Sequence, residues 1–125
     1  MSQPRNILFV EDNDDIRIIT TFALEHDGRF RVLAAESGER ALQLADSSPV
    51  DVVLLDVMMP GMDGTETLAA LREMEATRST PVVFLTAKAQ PTEVQRLLEL
   101  GARDVLTKPF DPLTIADRLA GILDD

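Results

Sequence analysis

The chain contains no cysteine. That excludes disulfides, thiol nucleophiles and thiolate metal sites. Its single histidine, His26, excludes a metal centre built from histidines. No apolar run approaches the roughly 20 residues that a transmembrane helix needs. The first residues, Met1-Ser2-Gln3-Pro4-Arg5, lack the apolar stretch of a secretory signal. These absences fit a cytoplasmic protein with no membrane association. Basic residues are also scarce, 12 against 22 acids, for a formal charge of −10. Nucleic-acid binding draws most of its affinity from Lys and Arg on phosphates, and no basic stripe is visible, so direct nucleic-acid binding is not expected.

What is present is a chain of 125 residues, 45% hydrophobic. That length suits one domain, which buries roughly two-thirds of its unfolded surface. Short apolar runs alternate with amphipathic stretches. Strands are expected at residues 6–10, 31–35, 51–55, 81–85 and 104–107. A helix from Asp14 would turn Ile16, Ile19 and Ala23 inward and end at Asp27-Gly28. One from Gly38 would bury Ala41, Leu42 and Ala45, and one over residues 65–76 would bury Leu68 and Leu71. One over residues 92–100 would bury Val94, Leu97 and Leu98 and stop at Gly101. The last, opened by Pro112, would bury Ile115, Leu119 and Ile122. Spacings of three and four mark the helices, and Gly or Pro punctuates them. Unbroken Val/Leu/Ile strands are buried on both faces, which means a parallel sheet covered by helices. The expectation is a doubly wound, flavodoxin-like α/β fold of five strands in the order 2-1-3-4-5, a single domain over residues 1–125 with no output domain in this chain.

Five residues stand at or just beyond the carboxyl ends of those strands: Glu11, Asp12, Asp56, Thr86 and Lys108. Open α/β sheets place ligand sites along that edge. Acids at a helix start also act as caps, and that accounts for Asn13, Asp14 and Asp15. It accounts less well for Glu11 and Asp12 on the strand end. In the order 2-1-3-4-5 the first and third strands are neighbours, so Asp56 lies beside Asp12. Carboxylates so crowded resist joint ionisation. A divalent cation with hard oxygen ligands and retained waters resolves the conflict, and Mg²⁺ suits it. Asp56 is not needed for the turn after it, since Met58-Met59-Pro60-Gly61-Met62-Asp63-Gly64 supplies its own turn residues. Lys108, held between a strand and Pro109, can neutralise the acids and later bind a phosphoryl oxygen as a point charge.

Four segments carry a resemblance: Phe9-Val10-Glu11-Asp12, Leu54-Leu55-Asp56-Val57-Met58-Met59-Pro60-Gly61-Met62-Asp63-Gly64, Leu85-Thr86-Ala87 and Leu106-Thr107-Lys108-Pro109-Phe110. In order and spacing they resemble the response-regulator receiver domains of two-component signal transduction, of the chemotaxis-receiver kind, over essentially the whole chain. The resemblance implies that Asp56 is the phosphoacceptor. It implies Mg²⁺ bound directly by Asp12 and Asp56, through water by Glu11, and by the backbone carbonyl of Met58. Thr86 would hydrogen-bond the phosphoryl group, Lys108 would pair with it, and the Lys108–Pro109 bond would be cis. The phosphodonor would be a sensor histidine kinase or a histidine phosphotransfer protein, and the signal would pass to a downstream effector protein. Such a domain is a switch, not an enzyme, apart from catalysing its own phosphorylation and dephosphorylation.

The chain departs from this pattern at Val105, where an aromatic is usual. Valine cannot swing a ring inward toward Thr86, so output is expected through the loop and helix after the fourth strand. Arg96, Asp104 and Arg118 are present on the face used for dimers in the family, but Val94 and Thr114 stand where charges are usual. A monomer or weak dimer is therefore expected. A Mg²⁺-dependent phosphatase of the haloacid dehalogenase class would need an Asp-x-Asp pair where Glu11-Asp12 is followed by Asn13. A structural adaptor without phosphorylation would have no use for the intact set of five. The remaining residues take plainer roles. His26 is an ordinary helix-end residue, Met58, Met59 and Met62 are loop packing, and Phe110 packs under the last helix. Met58 and Lys88, two residues past Asp56 and Thr86, stand where they can admit or shield attacking water.

Overall fold

The computed structural model describes residues 3–88 and 90–124. Five parallel strands, β1 (Arg5–Val10), β2 (Phe30–Ala35), β3 (Val52–Asp56), β4 (Val82–Thr86) and β5 (Asp104–Thr107), lie in the order β2-β1-β3-β4-β5. The helices between and after them are α1 (Asp14–His26), α2 (Gly38–Ser47), α3 (Gly64–Glu73), α4 (Pro91–Glu99) and α5 (Pro112–Leu123). The architecture is the expected doubly wound, flavodoxin-like one. Among the described residues no helix is long and apolar enough to cross a membrane.

Successive strand residues point to opposite faces, so each strand feeds two cores. Leu8, Val10, Val53, Leu55 and Phe84 meet Ala41 and Ala45 of α2, Leu68 and Leu71 of α3 and Leu97 of α4 on one side. Ile7, Phe9, Leu54, Val83 and Leu85 meet Leu24 of α1 and Ile115, Ala116 and Leu119 of α5 on the other. β3 and β4 are buried along their whole length. Phe110 packs against the α1/α5 core, as expected. Asn13 caps α1, its Oδ1 accepting the Ile16 N–H at 3.0 Å.

Three expectations are corrected. Ile19 is 64% exposed, and α1 buries Thr20 and Leu24 instead. Ile16 and Ala23 are only half-buried, because α1 leans on the edge strand β2 with a narrow stripe. Leu98 is also exposed, at 39%, for α4 sits over the sheet edge and reaches the core chiefly through Leu97. The third helix stops at Glu73 and not at Ala76; a 3₁₀ turn, Glu75–Thr77, follows it. The Thr77 hydroxyl donates to the Leu71 carbonyl at 2.7 Å, and the Arg72 guanidinium donates to the carbonyls of Thr77 and Thr80. The Thr77 hydroxyl thus takes a helix-end carbonyl that continued helix would have used, and Arg72 holds the carbonyls of the turn beyond it.

Two glycines are required for different reasons. Gly101 has φ +113° and ends α4 with its N–H on the Leu98 carbonyl and the Ala102 N–H on the Leu97 carbonyl, a Schellman ending. Gly64 opens α3 behind a capping box of Asp63 and Glu66, and its N–H donates to the Val57 carbonyl at 2.9 Å. A Cβ at Gly64 would strike the Asp56 carbonyl oxygen and sit 2.8 Å from Val57 Cα. Gly121 in α5 has open space around the same position. Gly64→Ala is therefore expected to cost about 1–3 kcal/mol, the usual penalty of overpacking against backbone. Gly121→Ala should add up to about 1 kcal/mol from helix propensity. Urea unfolding of both variants checks the contrast.

Candidate functional site

Parallel strands bring four chain ends to one edge. Glu11 follows β1, and its N–H donates to the Ala35 carbonyl at 3.0 Å. Asp56 and Thr86 are the last residues of β3 and β4, in register with Leu85 and Thr107. Lys108 follows β5, and its N–H donates to the Thr86 carbonyl at 2.9 Å. The Lys108–Pro109 peptide is cis, as expected.

The Lys108 ammonium reaches across the sheet end. Its Nζ lies 2.9 Å from Glu11 Oε1 and 3.1 Å from Asp56 Oδ2. Asp56 Oδ1 accepts the Met58 N–H at 3.3 Å, and Glu11 Oε2 accepts the Asn13 N–H at 3.1 Å. Glu11 and Asp56 are buried, at 1% and 3% exposure, whereas Asp12 is exposed. Glu11, Asp12 and Asp56 each offer a carboxylate oxygen within 4.8 Å of the others. They line a cleft of about 250 Å³ together with Asn13, Ile16, Met58, Ala87 and Lys108. Three carboxylates against one ammonium, with the cleft open to water, form a donor set that fits a hard divalent cation.

Thr86 lies behind this surface. It is 1% exposed, and its Oγ1 accepts the Lys88 N–H at 3.0 Å. Met58 corrects the expectation of loop packing: its side chain is 63% exposed at the cleft mouth, while Met59 is buried. Its N–H holds Asp56, so its place in the chain, and not its thioether, keeps it at the site. His26 ends α1 and stacks on Phe22, with ring centroids 6.1 Å apart. Sequence reasoning overlooked Arg17. This residue donates from Nη1 to the Glu11 carbonyl at 2.8 Å and from Nη2 to Asp14 Oδ1 at 2.6 Å. The Asp14/Arg17 spacing of three was the available signal.

Burial pushes the Asp56 carboxyl up to about 6, the Glu11 charge adds to this, and Lys108 opposes it. Burial pulls the Lys108 ammonium down, but its bonds to Glu11 and Asp56 more than offset that and leave it above the usual lysine value. The raised Asp56 value has a definite sign in stability. The proton-bound form favours folding fully below the unfolded value near 4, and the benefit is lost as pH rises through about 6. In metal-free protein at pH 7.5, Asp56→Asn should therefore be more stable than the parent by about 2–3 kcal/mol, with the gain shrinking from pH 6 to pH 4. Urea titrations in chelator at several pH values check this; a gain independent of pH would contradict the charge argument.

Residues 7–120 match the family model of the response regulator receiver domain. The chain is 44% identical over 117 residues to the transcriptional regulatory protein CpxR of Escherichia coli, covering 94% of this chain and 48% of that protein. It thus spans about half the length of the curated relatives it matches. Its fold superposes on the Vibrio cholerae chemotaxis protein CheY4 with a TM-score of 0.88 at 33% identity, over 95% of this chain and 98% of that one. The receiver domain of a Pseudomonas aeruginosa sensor histidine kinase superposes with a TM-score of 0.87 at 29% identity, over 98% and 99% of the two chains. That structure has a magnesium ion coordinated in its active-site cleft. Sheet order, the acidic edge and these likenesses agree, and the chain belongs to the response regulator receiver domains of two-component signalling.

Proposed function

We propose that this domain is a phosphorylation-driven switch whose phosphoacceptor is Asp56, working with Mg²⁺ in the cytoplasm. The observation that carries the reading is the Lys108 ammonium shared between Glu11 and Asp56, with the Asp12 carboxylate beside them. Asp12 and Asp56 would hold the cation directly, Glu11 through water, and the Met58 carbonyl would complete the protein ligands. When bound, Mg²⁺ supplies positive charge to the oxygens of the transferring phosphoryl group.

The chain's own groups do the rest. An Asp56 carboxylate oxygen attacks phosphorus of a phosphohistidine on a sensor histidine kinase or phosphotransfer protein. The new O–P bond forms as the P–N bond breaks, and its electron pair returns to the imidazole. The product is an acyl phosphate on Asp56, which water later cleaves to carboxylate and phosphate. Lys108, already 3.1 Å from Asp56, stays as the point charge for a phosphoryl oxygen. The Thr86 hydroxyl accepts from Lys88 N–H, which leaves its proton to donate to the phosphoryl group.

That Thr86–Lys88 bond also supports a route for output. A phosphoryl group that draws the Thr86 hydroxyl pulls on the backbone of Lys88 and hence on the segment entering α4. Val105, across from Phe84 in register and packed on the same core, has no ring to turn. The signal then reaches an effector protein through α4 and its neighbours. Arg118 pairs with Asp104 and Arg96 with Glu93 within the chain, which supports a monomer or weak dimer.

Incubation with Mg²⁺ and acetyl phosphate should add one phosphate to the intact mass, and Asp56→Asn should abolish the gain. Unchanged labelling of that variant would refute the assignment. Beryllofluoride with Mg²⁺ should shift the amides of Lys88 and residues 92–96 more than that of Val105. Shifts confined to β5 would overturn the proposed route.

A further inference from the structure

Of the three acids that would hold the cation, Asp56 ends a strand, but Glu11 and Asp12 stand on a turn. β1 ends at Val10 and α1 begins at Asp14, so Glu11 and Asp12 occupy the connection. Across this connection lies one guanidinium. Arg17 Nη1 donates to the Glu11 carbonyl at 2.8 Å and, more weakly, to the Asp12 carbonyl at 3.5 Å. Its Nη2 lies 2.6 Å from Asp14 Oδ1, and its own N–H donates to the Asn13 carbonyl at 3.0 Å. The side chain is only 17% exposed, so it is held against the protein and does not wave in solvent. A planar fork with donors in fixed directions suits such a clamp, whereas an ammonium is a single point.

We infer that Arg17 is a positioning residue for the metal site: it fixes the turn so that the Glu11 and Asp12 carboxylates face the cleft. The inference rests on the Mg²⁺ reading above and adds a residue to it. Arg17 grips backbone carbonyls and Asp14, while the Glu11 carboxylate is turned to Lys108 and the Asn13 N–H. The guanidinium therefore orders the acid pair without neutralising the Glu11 carboxylate.

The two effects of this cation on Mg²⁺ have opposite signs. As a charge it repels a second cation, so its removal should tighten binding. As a clamp it preorganises the ligands, so its removal should loosen binding. Groups that orient metal ligands typically contribute about tenfold or more in affinity.

Calorimetric titration with MgCl₂ decides between them. The parent should bind, and Asp12→Ala should lose most binding. Arg17→Ala should bind about tenfold more weakly, the lower end of that range. Arg17→Lys should fall between the two although it keeps the charge. A second readout needs no metal. In chelator, the Asn13 amide, which donates to Glu11 Oε2, should exchange with deuterium faster in both Arg17 variants, while the amides of Leu54 and Phe84 in the central strands keep their protection. Binding by Arg17→Ala as tight as the parent's or tighter, with Asn13 exchange unchanged, would overturn the clamp. If Arg17→Ala loses protection throughout the sheet, Arg17→Lys decides, and parent-like affinity in it overturns the inference. A parent that binds no Mg²⁺ refutes the metal reading; faster Asn13 exchange in the variants would then still establish that Arg17 holds the turn.

Discussion

One ammonium placed between two buried carboxylates constrains much of this molecule. Lys108 touches Glu11, 97 residues away in sequence, and Asp56, 52 away. These contacts need the ends of β1, β3 and β5 to fall on one line, which a parallel sheet achieves. Antiparallel strands would send alternate ends to opposite edges. The arrangement does little for stability, since burying charged groups costs about as much as their pairing returns. Asp56 carries the cost openly, its carboxyl driven up to about 6 by burial and the Glu11 charge. Such a perturbed carboxyl in a cleft is the kind of group that functional sites use.

The rest of the fold fixes that edge in place. Each central strand is anchored in both cores, so the end of β3 cannot shift without disturbing packing on two faces. Gly64 sets the start of α3 directly against the Asp56 backbone, where no side chain fits. On the opposite side of the site, support is polar: Asn13 caps α1, and Arg17 spans the turn. The rigid side holds Asp56, the proposed phosphoacceptor, and the polar side holds Glu11 and Asp12. The Thr86–Lys88 bond ties the end of β4 to the residues that follow it, and α4 presents Leu98 to solvent.

Much of this was legible from residue order. Unbroken Val and Leu runs mark the buried strands, and period-of-three-and-four stripes mark the helices, because burial selects apolar side chains in those rhythms. The places where the pattern misleads share a cause. Ile19 and Leu98 are apolar at helical spacing yet exposed, since the stripe that meets the sheet is narrower than the stripe of apolar residues. Helix α3 breaks early where the Thr77 hydroxyl takes the Leu71 carbonyl and Arg72 holds the carbonyls of the following turn, a competition between side chain and backbone that propensity does not register.

By itself the sequence determined the class of fold, the strand ends and the kinds of group at each of them. Those depend on local patterns: apolar periodicity, turn residues and acids placed after strands. Which groups meet depends on how the strands and helices pack. The sharing of Lys108 between Glu11 and Asp56, the burial that raises the Asp56 carboxyl, the retreat of Thr86 behind the cleft and the grip of Arg17 on the acidic turn are all set by distance and desolvation. Distance and desolvation arise when remote segments pack together, and no single stretch of the chain contains them.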